Sequence, residues 1–186
     1  MNTKQIAYNA LIISLIAVMA FVPWLGIITY GPLSATTLHI IVIIAALLLG
    51  GKSAIIASLA FGVSTMLVAI SRGLATDLLF MNPLVSVLPR LMFGFVLAGL
   101  VKVFNKPHSD NTFTDITIAV VGTIAHTFLV LGALFFVLEL PGNFLEQLTT
   151  WWAAVVGILL VNTLPEIVAA VLIAVPVVKV LRRTLR

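Results

Sequence analysis

Cysteine is absent from the 186 residues, so disulfides, thiolate metal sites and cysteine nucleophiles are all excluded. Charge is nearly as scarce. Ten Lys and Arg with six Asp and Glu amount to 9% of the chain, against 62% hydrophobic side chains. A soluble domain carries roughly 25% charged residues to cover its surface, so a water-soluble enzyme is excluded. Twelve glycines and eight prolines are ordinary numbers, which removes collagen-like and disordered classes. The net charge of +4 needs no nucleic acid to explain it, because basic residues collect on the cytoplasmic side of membrane proteins. The composition is that of an integral membrane protein.

Crossing about 30 Å of hydrocarbon takes about 20 mostly apolar residues per helix. Six stretches qualify, at about 5–21, 36–49, 53–71, 82–104, 114–138 and 149–181. A transmembrane barrel would show ~10-residue alternating segments, and runs such as IIVIIAALLL do not alternate. The expected fold is therefore all-α: one membrane domain over residues 1–186, a bundle of six transmembrane helices. A signal-peptide reading of the first span conflicts with Tyr8 and Asn9, which sit where its apolar core should begin. With the amino terminus inside, Lys4, Lys52, Lys102, Lys106, Lys179, Arg182, Arg183 and Arg186 all fall on the cytoplasmic side. Arg72 and Arg90 are the two exceptions, and Glu139 and Glu146 fall in an outer loop. That asymmetry predicts both termini in the cytoplasm.

Gly51-Lys52-Ser53 imitates the end of a phosphate-binding loop. The pattern needs an earlier glycine where Ala46 stands, and a strand before it. A tight turn between two membrane helices is the better account. No internal repeat relates the two halves of the chain, which argues against a self-sufficient transporter built from rocking repeats.

Ionisable residues inside spans carry more information, because a charge at mid-bilayer is expensive and marks function by default. His39 lies 13 residues from Lys52, Arg90 12 from Lys102, His126 11 from Asp115 and Glu166 13 from Lys179. At ~1.5 Å per residue, all four fall in one layer about 16 to 20 Å from the inner face. Asn82, Ser86 and Arg90 follow at i, i+4 spacing, as do Asn162 and Glu166, and Trp151 returns to nearly the same face as Asn162. These stripes lead outward, so a shared cavity should open to the outside.

Plainer readings stand beside this one. Arg90 and Glu166 could form a structural ion pair, His126 could be satisfied by Thr123, and His39 could cap a helix after Thr36 and Thr37. Trp151 and Trp152 fit an interfacial aromatic belt as well as a ligand-stacking role. A single histidine pair is too little for a metal site, so no metal or cofactor is expected, and no catalytic constellation stands out. Small residues form ridges of the kind that let membrane helices approach closely. Ala10 and Ser14 lie on span one, Ala54, Ser58 and Gly62 on span three, and Gly94 and Ala98 on span four.

Several segments together resemble the substrate-binding S components of energy-coupling factor (ECF) vitamin transporters over essentially the full length. These are ALIISLIAVMAF, GPLSATTLHIIVIIAALLLGGKSAIIASLAFGVSTML, NPLVSVLPRLMFGFVLAGL and VNTLPEIVAAVL. The ATT-x-H, PRLMFGFVLAG and N-x-x-PE segments resemble the pantothenate branch most. The resemblance implies capture of a vitamin from outside, without enzymatic activity. It also implies work with a transmembrane coupling subunit and two ATP-hydrolysing subunits, and toppling in the lipid bilayer to release substrate inward. The family's small-residue motif on span one, which packs on the coupling subunit, is matched by Ala10 with Ser14.

Within that resemblance the expected ligand is pantothenate, which has one carboxylate, two hydroxyls and an amide. Arg90 would supply the cation, with Asn82, Ser86, His39, His126, Asn162, Glu166 and Trp151 around it. Glu166 at the same depth could instead neutralise Arg90. A neutral vitamin of the hydroxymethylpyrimidine or pyridoxine type is then the alternative, and a stand-alone proton-coupled carrier is another.

Overall fold

The computed structural model describes residues 3–22, 25–30, 33–104, 111–137 and 144–184. Lys106, Leu138, Glu139 and Arg186 lie outside them. Helices α1 (Thr3–Phe21), α3 (Gly51–Arg72), α4 (Pro83–Phe104) and α5 (Thr112–Val137) are each long and apolar enough to cross a membrane. A fifth rod of that kind is built from α6 (Phe144–Ile158), a π-helical turn at Leu159–Thr163 and α7 (Leu164–Thr184). These rods answer to five of the six expected spans.

The second expected span is different. Helix α2 covers only Leu38–Leu49, 12 residues, or about 18 Å at 1.5 Å per residue, too short to cross alone. A hairpin of β1 (Ile27–Tyr30) and β2 (Leu33–Thr36) precedes it, with Ile27 opposite Thr36 and Tyr30 opposite Leu33. The bundle is thus helical except here. The β-branched run Ile27-Ile28-Thr29 favours extended backbone, and Pro32 bars a continuous helix through the segment. One consequence matters for function: α2 starts deep in the bundle, and His39 stands in its first turn.

Helix α2 is apolar nearly all round and almost wholly buried, as expected of a central helix. Residues of α1, α3, α4, α5 and α7 complete the same core, among them Ile16, Phe61, Leu97, Ile118 and Val178. The small-residue ridges on spans three and four interlock. A Cβ placed on Gly94 would lie 2.8 Å from the Ser58 Cβ, and one on Gly62 would lie 2.9 Å from the Val87 Cα. Side chains at those positions would push α3 and α4 apart. Ala10 and Ser14, by contrast, are exposed on α1, and the Ser14 hydroxyl donates to the Ala10 carbonyl at 2.9 Å.

At the end of the bundle where α2 and α7 finish and α5 begins, Arg182 and Asp115 form a buried bidentate pair, Nη1 to Oδ2 at 2.6 Å and Nη2 to Oδ1 at 2.9 Å. The same guanidinium donates to the Leu47 carbonyl at 3.4 Å. One side chain therefore ties three helices together. At the opposite end, Gly73 takes a left-handed conformation (φ 59°) to close α3, and a 3-10 turn at Ala75–Met81 leads to α4. Arg72 and Asp77 pair locally there at 3.4 Å.

Candidate functional site

The dipeptide Pro89-Arg90 is the local device that shapes the site. Pro89 lies inside α4 and has no N–H, so the Val85 carbonyl four residues earlier loses its helical donor. The Arg90 side chain folds back and takes that place, Nη1 donating to the Val85 oxygen at 2.5 Å. The guanidinium is thereby held between two aromatic faces, 5.5 Å from the Phe61 ring centre and 5.4 Å from that of Phe80. Cation–π contacts of this kind are favourable in desolvated sites. Its Nε has no partner, although the residue is buried.

His39 of α2 and His126 of α5 meet beside this arginine. Their rings lie nearly parallel, 5.4 Å apart at 10°. Phe61 and Phe93 flank His126 at 5.4 and 5.2 Å. Phe61 therefore touches both His126 and Arg90. All four imidazole nitrogens are inaccessible and none makes a hydrogen bond. A buried polar group left without a partner costs about 1–3 kcal/mol. Two such histidines in an aromatic box are a site with unmet hydrogen-bonding capacity.

Glu166 closes the fourth side. Its Oε1 accepts from the Thr36 N–H at 2.8 Å and from the Asn162 amide at 3.4 Å. The first of these bonds fastens the end of the hairpin to α7. Among the described residues Arg90 and Glu166 form no direct ion pair. The π-helical turn explains how Asn162 and Thr163 reach this region. Pro165 cannot donate to the Val161 carbonyl, and the helix widens just before it, a feature frequent at functional sites. Thr163 shares a hydrogen bond of 3.2 Å with Thr127 on α5, which anchors the widened turn.

The structure brings Arg90, His39, His126, Glu166 and Asn162 together. It spends the other expected residues on scaffolding. Asn82 caps α4, its Oδ1 accepting from the Leu84 N–H at 2.9 Å. The Ser86 hydroxyl donates to the Phe80 carbonyl, steadying the loop that carries an aromatic face over Arg90. Trp151 donates from Nε1 to the Leu131 carbonyl at 3.1 Å and packs on Phe135 and Trp152. Thr123 does not satisfy His126, because its hydroxyl donates to the Ala119 carbonyl at 2.9 Å.

The walls Phe61, Phe80 and Phe93 and the Thr127–Thr163 link escape sequence reasoning. Aromatic residues are ordinary in an apolar chain, and no spacing marks these ones. In the sequence the two histidines stand alone as metal donors; in the fold Glu166 joins them. One donor atom from each of His39, His126 and Glu166 lies within 4.8 Å of the others.

The bundle thus gathers polar side chains from four helices behind aromatic walls in its interior. The family model for the ECF transporter, substrate-specific component, matches residues 4–178. The chain belongs to that family. It is a multi-pass membrane protein and the substrate-binding subunit of a transporter, not an enzyme. Membership implies a small-molecule vitamin as substrate, with coupling and ATPase subunits as partners. Among curated proteins, none matches the chain.

Proposed function

We propose that this subunit captures pantothenate from the outer side and passes it inward with a transmembrane coupling subunit and two ATPases. The observation that carries the reading is Arg90, a guanidinium folded between Phe61 and Phe80 with an unpartnered Nε. It offers a carboxylate a charge-assisted hydrogen bond in a dry setting. His39, His126 and Asn162 surround it with groups suited to hydroxyls and an amide. In this reading both termini face the cytoplasm, and the exposed Ala10 and Ser14 on α1 meet the coupling subunit through a close helix contact.

A second reading has one observation in its favour. Glu166 stands in the same layer as Arg90, and an ionised carboxylate there would balance the guanidinium, which suits a neutral pyrimidine or pyridine vitamin. Mass spectrometry of the small molecule that co-purifies with the solubilised protein separates the two. Binding assays then test the carboxylate assignment. Removing one side of a buried charged pair costs about 2 to 5 kcal/mol, so Arg90→Ala should weaken pantothenate at least roughly thirtyfold. Undiminished affinity in a folded Arg90→Ala protein would end that assignment. Uptake by the protein alone under a proton gradient, with no ATP, would favour a stand-alone carrier.

A further inference from the structure

We propose that His39, His126 and Glu166 form a binding site for a divalent first-row transition-metal ion of the zinc class. The three side chains come from α2, α5 and α7, and one donor atom of each lies within 4.8 Å of the other two. Two imidazoles and a carboxylate, with no thiolate, are a donor set suited to zinc, cobalt or nickel. The histidines are 0% and 3% exposed and Glu166 is 7% exposed, so water does not compete for their lone pairs.

The four unpartnered imidazole nitrogens point to a ligand independently of that clustering. A neutral imidazole carries one N–H and one lone pair. In a purely packing role each would need a nearby donor for its lone pair, and the box offers Phe61 and Phe93 instead. A cation satisfies both lone pairs at once. Both hydrogen bonds to Glu166 land on Oε1, and neither takes Oε2.

Tetrahedral zinc with ligand distances near 2.0–2.1 Å sets its donors about 3.3–3.5 Å apart. Coordination therefore requires the two imidazoles to turn inward from their parallel arrangement. Three protein ligands leave one position open, as in sites that bind an exogenous ligand. Arg90 and Glu166 cancel each other's charge, so a bound dication would make the layer net positive. Resting on the vitamin reading above, the open position would then take the carboxylate together with Arg90.

The test uses full-length, tag-free protein in detergent, stripped with chelator. Isothermal titration with Zn2+ and visible absorption with Co2+ measure the metal alone. One equivalent should bind, with Co2+ giving the d–d bands of a low-coordinate nitrogen–oxygen site. His39→Phe, His126→Phe and Glu166→Gln should each weaken Zn2+ more than the about 10- to 100-fold typical of losing an outer partner. The phenylalanine variants fill the aromatic box, so their melting temperature in the stripped state should hold or rise while the metal-induced rise disappears. No stoichiometric binding to folded, stripped protein would overturn the proposal, as would binding that survives His39→Phe with His126→Phe. Pantothenate titrated into the same stripped protein without metal tests the vitamin reading separately, since Arg90 remains available there.

Discussion

Two buried arginines in this molecule have opposite circumstances. Arg182 closes its accounts within the protein: both carboxylate oxygens of Asp115 and the Leu47 carbonyl accept from it. Arg90 has one backbone acceptor, two aromatic faces and an unpartnered Nε. Beside Arg90 stand two histidines with no hydrogen bonds. A satisfied buried charge stabilises a particular arrangement of helices. An unsatisfied one stores binding capacity for something that arrives later. The end that carries Arg182 is thus a lock, and in the proposed function the layer that carries Arg90 is the receptor.

The largest effect should come from breaking the lock. Removing one partner of a buried ion pair typically costs about 3–5 kcal/mol, because the other charge is left uncompensated. Asp115→Ala should accordingly lower the melting temperature of the detergent-solubilised protein strongly. Arg182→Met combined with Asp115→Leu should recover most of the loss. A small effect of Asp115→Ala would show that the end of the bundle is wetter than its geometry implies, and the contrast with Arg90 would weaken.

Arg90→Met should behave in the reverse sense. Its stability cost should stay near 1 kcal/mol, the worth of one ordinary hydrogen bond, while ligand affinity falls at least roughly thirtyfold. Parallel melting and binding curves for Arg90→Met and Asp115→Ala make the comparison direct. Equal destabilisation by both would mean that Arg90 is structural too.

Pro89→Ala sharpens the account of how Arg90 is held. Restoring an N–H at residue 89 gives the Val85 carbonyl its helical donor back and displaces the guanidinium. The variant should be more stable by about 1 kcal/mol and bind ligand about tenfold more weakly. Unchanged affinity would show that the Val85 contact does not position Arg90. The smallest effect expected is that of Thr127→Val, which removes the 3.2 Å link to Thr163. It should cost about 0.5–1.5 kcal/mol, with a loss of affinity only if the π-helical turn relaxes.

Part of the receptor layer, though not this contrast, was written in the chain. The four-residue polar layer follows from counting inward from Lys52, Lys102, Asp115 and Lys179, because a helix advances at a constant rise and the bilayer sets a common depth. The close approach of α3 and α4 at Ser58 with Gly94, and at Gly62 with Val87, is allowed by small residues at four-residue spacing. The hairpin ahead of the second span was not legible, since apolarity reports burial and not conformation. A central helix of 12 residues and a longer spanning one look alike when every neighbour is apolar.

By itself, then, the sequence determined that this protein lives in a membrane and that its apolar stretches are helical. Those are properties of one helix in one solvent, set by hydropathy, charge and rise per residue. The tertiary structure decided which partners the polar groups find. Nothing along the chain says that Arg182 meets Asp115, 67 positions away, while Arg90 turns back on its own helix. Nothing says that Ser86 and Asn82 are consumed by backbone groups, or that Glu166 faces the two histidines. Hydrogen bonds and ion pairs act over a few ångströms, so their pairing depends on how helices are rotated and which backbone bonds a proline has removed. Those quantities exist once the helices have packed.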